Sequence, residues 1–282
     1  MFNLIKMDIH RLLHSASTWI IVAFAVIAAI FSIVMTNMDI QAAQENGTST
    51  VVEDTSSEAL VGIQVTGNEE WANGKIELGD VISMEVQSGL TAILCVIFAA
   101  LFANADQKNG YIKNIVGQFP RRGKLVLSKF VATAVQVFLI LFVFVVVAII
   151  SSFIFWGDKV YMGAWIPFVK ALGIQYLLHL GMAALIMFLS ILTRSNAFST
   201  TAGILLCSGL SVYLYMGINK IISNIKPNWN FDINNYVLES NIKMIGVDTA
   251  SDVMLRGAIV GVTFVIISIV LAMVTMKKRD VR

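Results

Sequence analysis

Residues 130–155 read FVATAVQVFLILFVFVVVAIISSFIF and contain no charged side chain. An α-helix rises 1.5 Å per residue, so ~20 apolar residues cross the ~30 Å hydrocarbon core of a bilayer. Further apolar stretches of about this length lie on both sides of it along the chain. We therefore predict six membrane spans, at residues 19–35, 86–104, 130–155, 165–192, 198–218 and 253–276.

The composition agrees with this pattern. The chain is 57% hydrophobic and 13% charged, whereas soluble domains average ~45–50% apolar and ~25% charged residues. We expect an all-α polytopic membrane protein in which residues 1–282 form a single membrane domain. Residues 1–17 have an apolar face (Phe2, Ile5, Ile9 and Leu12) opposite a polar one, which is typical of a helix that lies in the lipid headgroup layer.

The distribution of basic residues predicts the orientation. If the N-terminus is cytoplasmic, thirteen of the 20 Lys and Arg residues fall on the cytoplasmic side and fifteen of the 18 acids on the other. Because basic loops are retained in the cytoplasm, both termini are expected there, in the cell membrane of a bacterium. Residues 105–129 are then a cytoplasmic loop, and residues 37–85 and 219–252 are extracellular loops, the last with one or two short surface helices.

The extracellular loop 37–85 is strongly acidic. It carries ten acids and a single base, Lys75. A field of one sign raises the local concentration of cations, so the loop could gather a cationic substrate. The alternative is a solvated segment from which basic residues are excluded by the orientation rule, and both interpretations stay open.

No enzyme is expected in this chain. The segment GQFPRRGKL at 117–125 resembles a phosphate-binding loop, but five residues instead of four separate its glycines, and Leu125 replaces the hydroxyl residue. There is no GxSxG or HExxH motif, and Cys95 and Cys207 fall within predicted spans. We therefore expect no cofactor or metal bound to this chain and no nucleic-acid partner.

Three polar residues interrupt the predicted spans. Gln136 lies in the third span, and Gln175 and His179 share one face of the fourth because they are four residues apart. Polar groups in hydrocarbon are costly unless they face a partner or a polar cavity, so these residues are candidates for a translocation path. Hydrogen bonds to a neighbouring helix are an equally good explanation.

Small residues mark two helix-packing candidates. They recur every four residues at Ser199, Gly203, Cys207 and Ser211, and again at Gly257 and Gly261. Small side chains let helices approach closely. The stripe is expected either to pack within the chain or to form the contact between two copies.

Residues 106–129, DQKNGYIKNIVGQFPRRGKLVLSK, form the basic segment between the second and third spans. A short amphipathic helix is predicted from Lys108 to Gln118; Gly117 and Pro120 then end it. Lys129 is expected to reach the lipid headgroups as the third span begins. A helix across the cytoplasmic ends of two spans is well placed for a protein partner to push on.

This segment resembles a family signature. Asp106, then Asn109-Gly110-Tyr111-Ile112-Lys113-Asn114-Ile115, then Arg121 or Arg122, then Ser128-Lys129 is similar to the acid…NGTIKNIL…R…SK pattern of ABC-2 type permeases. These are membrane subunits of bacterial ABC exporters. Tyr111 departs from the pattern, in which a small hydroxyl residue follows the glycine. The predicted topology and the basic C-terminal tail also resemble that family.

The resemblance implies an ABC-2, type V exporter-like, permease fold. It implies a coupling helix that docks into a separate ATPase, so that ATP and Mg²⁺ bind to that subunit. Two ATPases would join two permeases, either a homodimer or a pair with a homologous permease, and the spans would contact membrane lipids. The implied ATPase-coupling residues are Lys108, Asn109, Gly110, Tyr111, Ile112, Lys113 and Asn114.

The expected function is therefore export of an amphipathic substrate, such as a peptide antibiotic or bacteriocin, a drug or a lipid-like molecule. One alternative is a membrane sensor or scaffold that binds a partner through its acidic loop. Another is an ion-coupled secondary transporter, which is disfavoured because no acid lies within a predicted span.

Overall fold

The computed structural model describes residues 2–46, 71, 75–108, 123–226 and 231–278. Long helices dominate these residues. In chain order the elements are α1 (Phe2–His14), α2 (Ala16–Asn46), β1 (Ile76–Glu77), α3 (Leu78–Gln87), α4 (Leu90–Lys108), α5 (Gly123–Trp156), a 3-10 turn (Gly157–Lys159), β2 (Val160–Tyr161), α6 (Trp165–Thr193), α7 (Asn196–Cys207), α8 (Val212–Ile225), a second 3-10 turn (Ile233–Tyr236), α9 (Leu238–Met244) and α10 (Ser251–Lys278).

Four helical segments are long and apolar enough to cross a membrane: Ala16–Gln41, Gly123–Lys159, Trp165–Thr193 and Ser251–Lys278. Two helix pairs pass the same test only when joined, and each is bent. The angle is 46° between α3 and α4 and 67° between α7 and α8. The expectation of an all-α membrane protein is confirmed, with four candidate spans, or six if each bent pair is one span. The predicted spans 86–104 and 198–218 each contain a break in the helix, at residues 88–89 and 208–211.

The two bends share one local sequence and geometry. Each contains Ser-Gly-Leu, at residues 88–90 and 208–210. Gly89 has φ 87° and Gly209 has φ 82°, a left-handed conformation that ends helices and that glycine adopts without a Cβ clash. The preceding serines, Ser88 and Ser208, each donate a side-chain hydrogen bond to the carbonyl three residues earlier. Each first helix therefore ends in the same way before the chain changes direction.

Helix α6 is at the centre of the bundle and packs against α4, α5, α7, α9 and α10. Helix α2 packs along α5, and α1 packs against α5 as well. We call the end that holds α1, the start of α5 and the ends of α4 and α10 the basic end. The opposite end holds the starts of α3, α6 and α10, together with a two-stranded parallel sheet in which Ile76 pairs with Val160.

Helices extend into two of the predicted loops. Helix α2 continues to Asn46 and α3 begins at Leu78, so the ends of the predicted loop 37–85 are helical. Likewise, α4 and α5 extend into the predicted loop 105–129 from both sides. The reason is that helices continue past the membrane when the sequence holds no breaker, as in NMDIQAAQEN at 37–46.

The predicted loop 219–252 also contains regular structure. Helix α8 runs into it, and α9 follows the second 3-10 turn. The short helix expected on the surface is instead buried: Leu238, Asn241 and Ile242 of α9 are almost inaccessible. Helix α9 packs against α3, α6 and α10, so the chain after α8 returns into the bundle.

The N-terminal helix exists, but the face that it buries differs from the expected one. Leu4, Asp8 and Leu12 are buried, whereas Phe2 is 80% exposed. Residues four apart share a helix face, and this face packs on α5. The predicted apolar face is therefore only partly turned toward the protein.

Candidate functional site

Of the predicted ATPase-coupling residues, the structure describes only Lys108. Lys108 is the last residue of α4, and α5 begins at Gly123. Asn109, Gly110, Tyr111, Ile112, Lys113 and Asn114 fall outside the described residues. Along the chain, these residues fall between α4 and α5, two helices that both pack against α6.

The base of α5 is tied to its neighbours by buried polar contacts. Ser128 is inaccessible and donates a hydrogen bond to the carboxylate of Asp8 on α1. Arg11 lies 3.9 Å from the same carboxylate. A buried carboxylate needs such partners. Arg11 compensates its charge within α1, and the Ser128 hydrogen bond ties α1 to the start of α5.

Lys129 differs from its expected role. Its side chain is 6% exposed, donates to the Phe102 carbonyl oxygen at 3.4 Å and lies 5.1 Å from the centre of the Phe102 ring. An ammonium group over an aromatic face is attracted to the ring. Lys129 thus joins α5 to α4 instead of reaching the lipid headgroups, since this turn of α5 is covered by neighbouring helices.

Gln175 and His179 connect α6 to two other helices. The Gln175 side-chain amide donates to the carbonyl oxygens of Ile242 and Ile245, at 2.8 and 2.7 Å. The last carbonyls of a helix have no partner within it, so Gln175 satisfies the C-terminus of α9. His179 Nε2 lies 2.8 Å from Thr91 Oγ1 on α4. These bonds match the helix-packing alternative rather than a translocation path.

Gln136 is in a different situation. Its side chain is completely buried, and both its amide nitrogen and its oxygen lack a hydrogen-bond partner among the described residues. A buried amide without a partner costs about 1–3 kcal/mol. The side-chain oxygen of Gln175 also has no partner among the described residues, so Gln136 and Gln175 both keep polar atoms that water or a cargo could pair with.

The predicted packing residues face the interior. Ser199, Cys207 and Ser211 are at most 7% exposed. A Cβ on Gly203 would lie 2.0 Å from Val96 Cγ1 on α4, and one on Gly261 would lie 3.1 Å from the Leu177 carbonyl oxygen on α6.

Gly257 makes the same kind of approach, since a Cβ there would lie 2.1 Å from Ile245 Cδ1. The three glycines thus approach other parts of the same chain closely, and the three remaining small residues are buried, which matches the alternative of packing within the chain.

A buried acid accepts a hydrogen bond at the bend between α7 and α8. Glu239 of α9 is 3% exposed, and its carboxylate accepts a hydrogen bond from Ser211. Burial raises the pKa of Glu239 to about 7, although the Ser211 hydrogen bond and the charge of Lys243 oppose the shift. Burial also lowers the pKa of Lys243.

Sequence reasoning missed a second buried acid, Glu85. It was placed in the acidic loop, but it lies on α3, is 4% exposed and accepts a 2.8 Å hydrogen bond from Thr36 on α2. An available signal was the apolar spacing of Leu78, Val81 and Ile82, which is typical of a helix that buries one face. The expectation that no acid lies within a span is wrong if α3 and α4 form one span.

The fold and these contacts define a helical membrane protein with buried polar connections between its helices. Residues 69–282 match a protein family described as "Protein of unknown function (DUF2705)", and the chain belongs to that family. The match begins before α3 and contains both bent helix pairs. No curated protein matches the chain.

Proposed function

We propose that the chain is the membrane-spanning permease subunit of an ATP-driven exporter, powered by a separate ATPase that binds at residues 108–114. The observation that carries the proposal is the NGYIKN segment at 109–114, placed between the end of α4 and the start of α5. The cargo would be an amphipathic molecule, either a peptide, a drug or a lipid-like compound, exported across the bacterial cell membrane.

The described helices offer a route from that segment into the bundle. Helix α5 has 34 residues, which at 1.5 Å each is about 50 Å. It starts next to the coupling segment, contacts α1, α2, α4, α6 and α10, and is tied at its base through Ser128 and Lys129. A push on the segment by an ATPase would therefore move α5 together with α1 and α4.

The bends provide places where the bundle could change shape. A Cβ on Gly89 would lie 3.2 Å from the Cys207 carbonyl oxygen, so the break in one helix pair touches the break in the other. Broken helices at membrane depth are typical of proteins that line a cavity or move around one. Gln136, with its available amide, is the residue that we assign to the path.

The proposal is tested by co-purification with the ATPase encoded by the adjacent reading frame. Charge reversal at Lys108 and Lys113 should reduce the retained ATPase at least tenfold, since a like charge at a contact repels its partner. The matched control reverses Lys159 and Lys220, which are exposed and lie away from the basic end. Undiminished retention in the Lys108/Lys113 variant contradicts the proposal.

Glu85 favours a second candidate, an ion-coupled transporter, because a buried acid within a span is a residue type that carries protons. In that case efflux would stop when the proton gradient is dissipated and would not depend on any ATPase. The exporter predicts the reverse: efflux that follows the ATP supply and persists in Glu85→Gln.

A further inference from the structure

A polar cavity opens at the opposite end of the bundle, between α3 and the loop that joins α9 to α10. Its volume is about 310 Å³, at the lower limit of the ~300–1,000 Å³ that small-molecule sites occupy. The polar or small residues that line it are Asp80, Ser83, Gln87, Gly246, Asp248 and Thr249.

The loop side of this cavity is held by its own hydrogen bonds. The Gly246 amide donates to Thr249 Oγ1 at 2.8 Å, and the Thr249 hydroxyl donates to the Met244 carbonyl oxygen at 3.2 Å. The Thr249 amide in turn donates to the Gly246 carbonyl oxygen at 3.4 Å. The wall is therefore fixed before any ligand arrives, which lowers the entropic cost of binding.

Ser83 is the observation that points to a ligand. Its side chain is 6% exposed, lines the cavity and has no hydrogen-bond partner for Oγ among the described residues. Buried hydroxyl groups are normally hydrogen-bonded, because leaving one unpaired costs about 1–3 kcal/mol. An unpaired hydroxyl in the wall of a fixed cavity is accounted for when a ligand supplies the missing partner.

The lining indicates the charge of that ligand. Asp248 contributes an exposed carboxylate, and the Gln87 amide and the Ser83 hydroxyl add further oxygen acceptors. The described residues that line the cavity include no Lys or Arg. Such a site repels anions and suits a cation whose N–H groups donate to several oxygens.

A bare metal ion fits less well. No described group of three or more His, Cys, Asp or Glu residues could hold a metal. A volume of about 310 Å³ is also several times the ~30 Å³ that one water molecule occupies. An alkylammonium group with its carbon chain fills this space better than an ion alone.

We propose that this cavity binds the ammonium group of a lysine-like side chain presented by a cationic amphipathic molecule. The exposed Asp248 lies at the entrance and Ser83 in the buried wall. If the chain is the permease proposed above, the cavity receives the cationic part of the cargo on the extracellular side. Binding itself needs neither the ATPase nor transport, so this inference and the proposed function can fail separately.

The test is calorimetric titration of the purified full-length chain in detergent with Nα-acetyl-lysinamide. Its matched control ligand is Nα,Nε-diacetyl-lysinamide, which has the same backbone but no charge. We expect saturable binding of the first and none of the second. Equal binding of both ligands, or binding of neither, overturns the proposal. So does loss of the lysinamide signal at millimolar Ca²⁺ with saturable Ca²⁺ binding in its place.

Three variants test whether the ligand binds in this cavity. Asp248→Asn and Ser83→Ala should each weaken it about tenfold, because the first removes the negative charge that pairs with the ammonium group and the second removes a hydroxyl acceptor. Gly246→Ala should weaken it as well, since its Cβ would lie 2.6 Å from Gln87 Nε2 and 3.0 Å from Ser83 Oγ.

Asp252→Asn is the matched control, because it removes an exposed acid at the same end that does not line the cavity. Its affinity should be unchanged. Equal weakening by Asp252→Asn and Asp248→Asn would show a general charge effect and overturn the assignment. Because Asp248 is exposed, its substitution tests the site even if Ser83→Ala reduces folding.

Discussion

At the scale of single residues, Glu239 at the bend between α7 and α8 makes the stability of the protein depend on pH. Burial raises its pKa from 4.5 to about 7. The folded chain therefore binds this proton more tightly than the unfolded chain does, between pH 4.5 and 7. Under proton linkage, the free energy of unfolding then falls as the pH rises through that interval.

We predict that wild type loses stability relative to Glu239→Gln between pH 5 and pH 8. Each pKa unit corresponds to ~1.4 kcal/mol, so the relative loss is no more than about 3 kcal/mol. The measurement is Tm of both proteins in detergent at the two pH values. Asp158→Asn, which changes an exposed acid, is the control. A wild-type-minus-variant difference that does not change with pH contradicts the assignment.

The polar residues within the spans could be identified from sequence, but their partners could not. Gln136, Gln175 and His179 stand out because apolar residues surround them. Thr91 contacts His179 from 88 residues away, and nothing local in the sequence encodes that pairing. Lys129 was misassigned for the same reason, since its burial depends on α4 lying against α5.

At the scale of helices, Gly203 of α7 packs against α4 with no room for a side chain. A Cβ there would lie 2.0 Å from Val96 Cγ1 and 3.2 Å from Ile186 Cδ1, and Val96 is completely buried. Overpacking of this kind typically costs 1–3 kcal/mol. The stability of α7 in the bundle therefore depends on the absence of one methyl group.

We predict that Gly203→Ala lowers Tm in detergent and that adding Val96→Ala restores part of the loss by removing the clashing γ-methyl groups. Gly173→Ala in α6 is the matched control, because nothing lies within 4 Å of a Cβ there. That control should be neutral or up to about 1 kcal/mol more stable. A Gly203→Ala protein as stable as the control would mean that α7 and α4 do not approach as described.

The number of apolar segments was predictable, whereas their bends were not predicted. Hydropathy averages over ~19 residues and so joins α7 to α8 across Ser208-Gly209-Leu210. The repeated Ser-Gly-Leu sequence was the available local signal. A glycine within an apolar span is compatible with a straight helix, so the sequence alone does not decide whether the chain bends there.

At the scale of the whole molecule, the basic and opposite ends differ in charge and in chemistry. The basic end carries Lys124, Lys277 and Lys278, and the opposite end carries the cavity with Asp80 and Asp248. Retention of basic segments in the cytoplasm would place the ATPase on the cytoplasmic side and the cation site on the extracellular side. The exporter account depends on this separation.

The most direct measurement is accessibility of a cysteine at position 111 to a membrane-impermeant maleimide. The two native cysteines are buried, and a cysteine at exposed position 248 reports on the opposite end. We predict that Tyr111→Cys is labelled only in inverted vesicles and is protected when the ATPase is bound, whereas Asp248→Cys is labelled only in right-side-out vesicles. Labelling of position 111 from outside the cell, or no protection by the ATPase, would contradict the account.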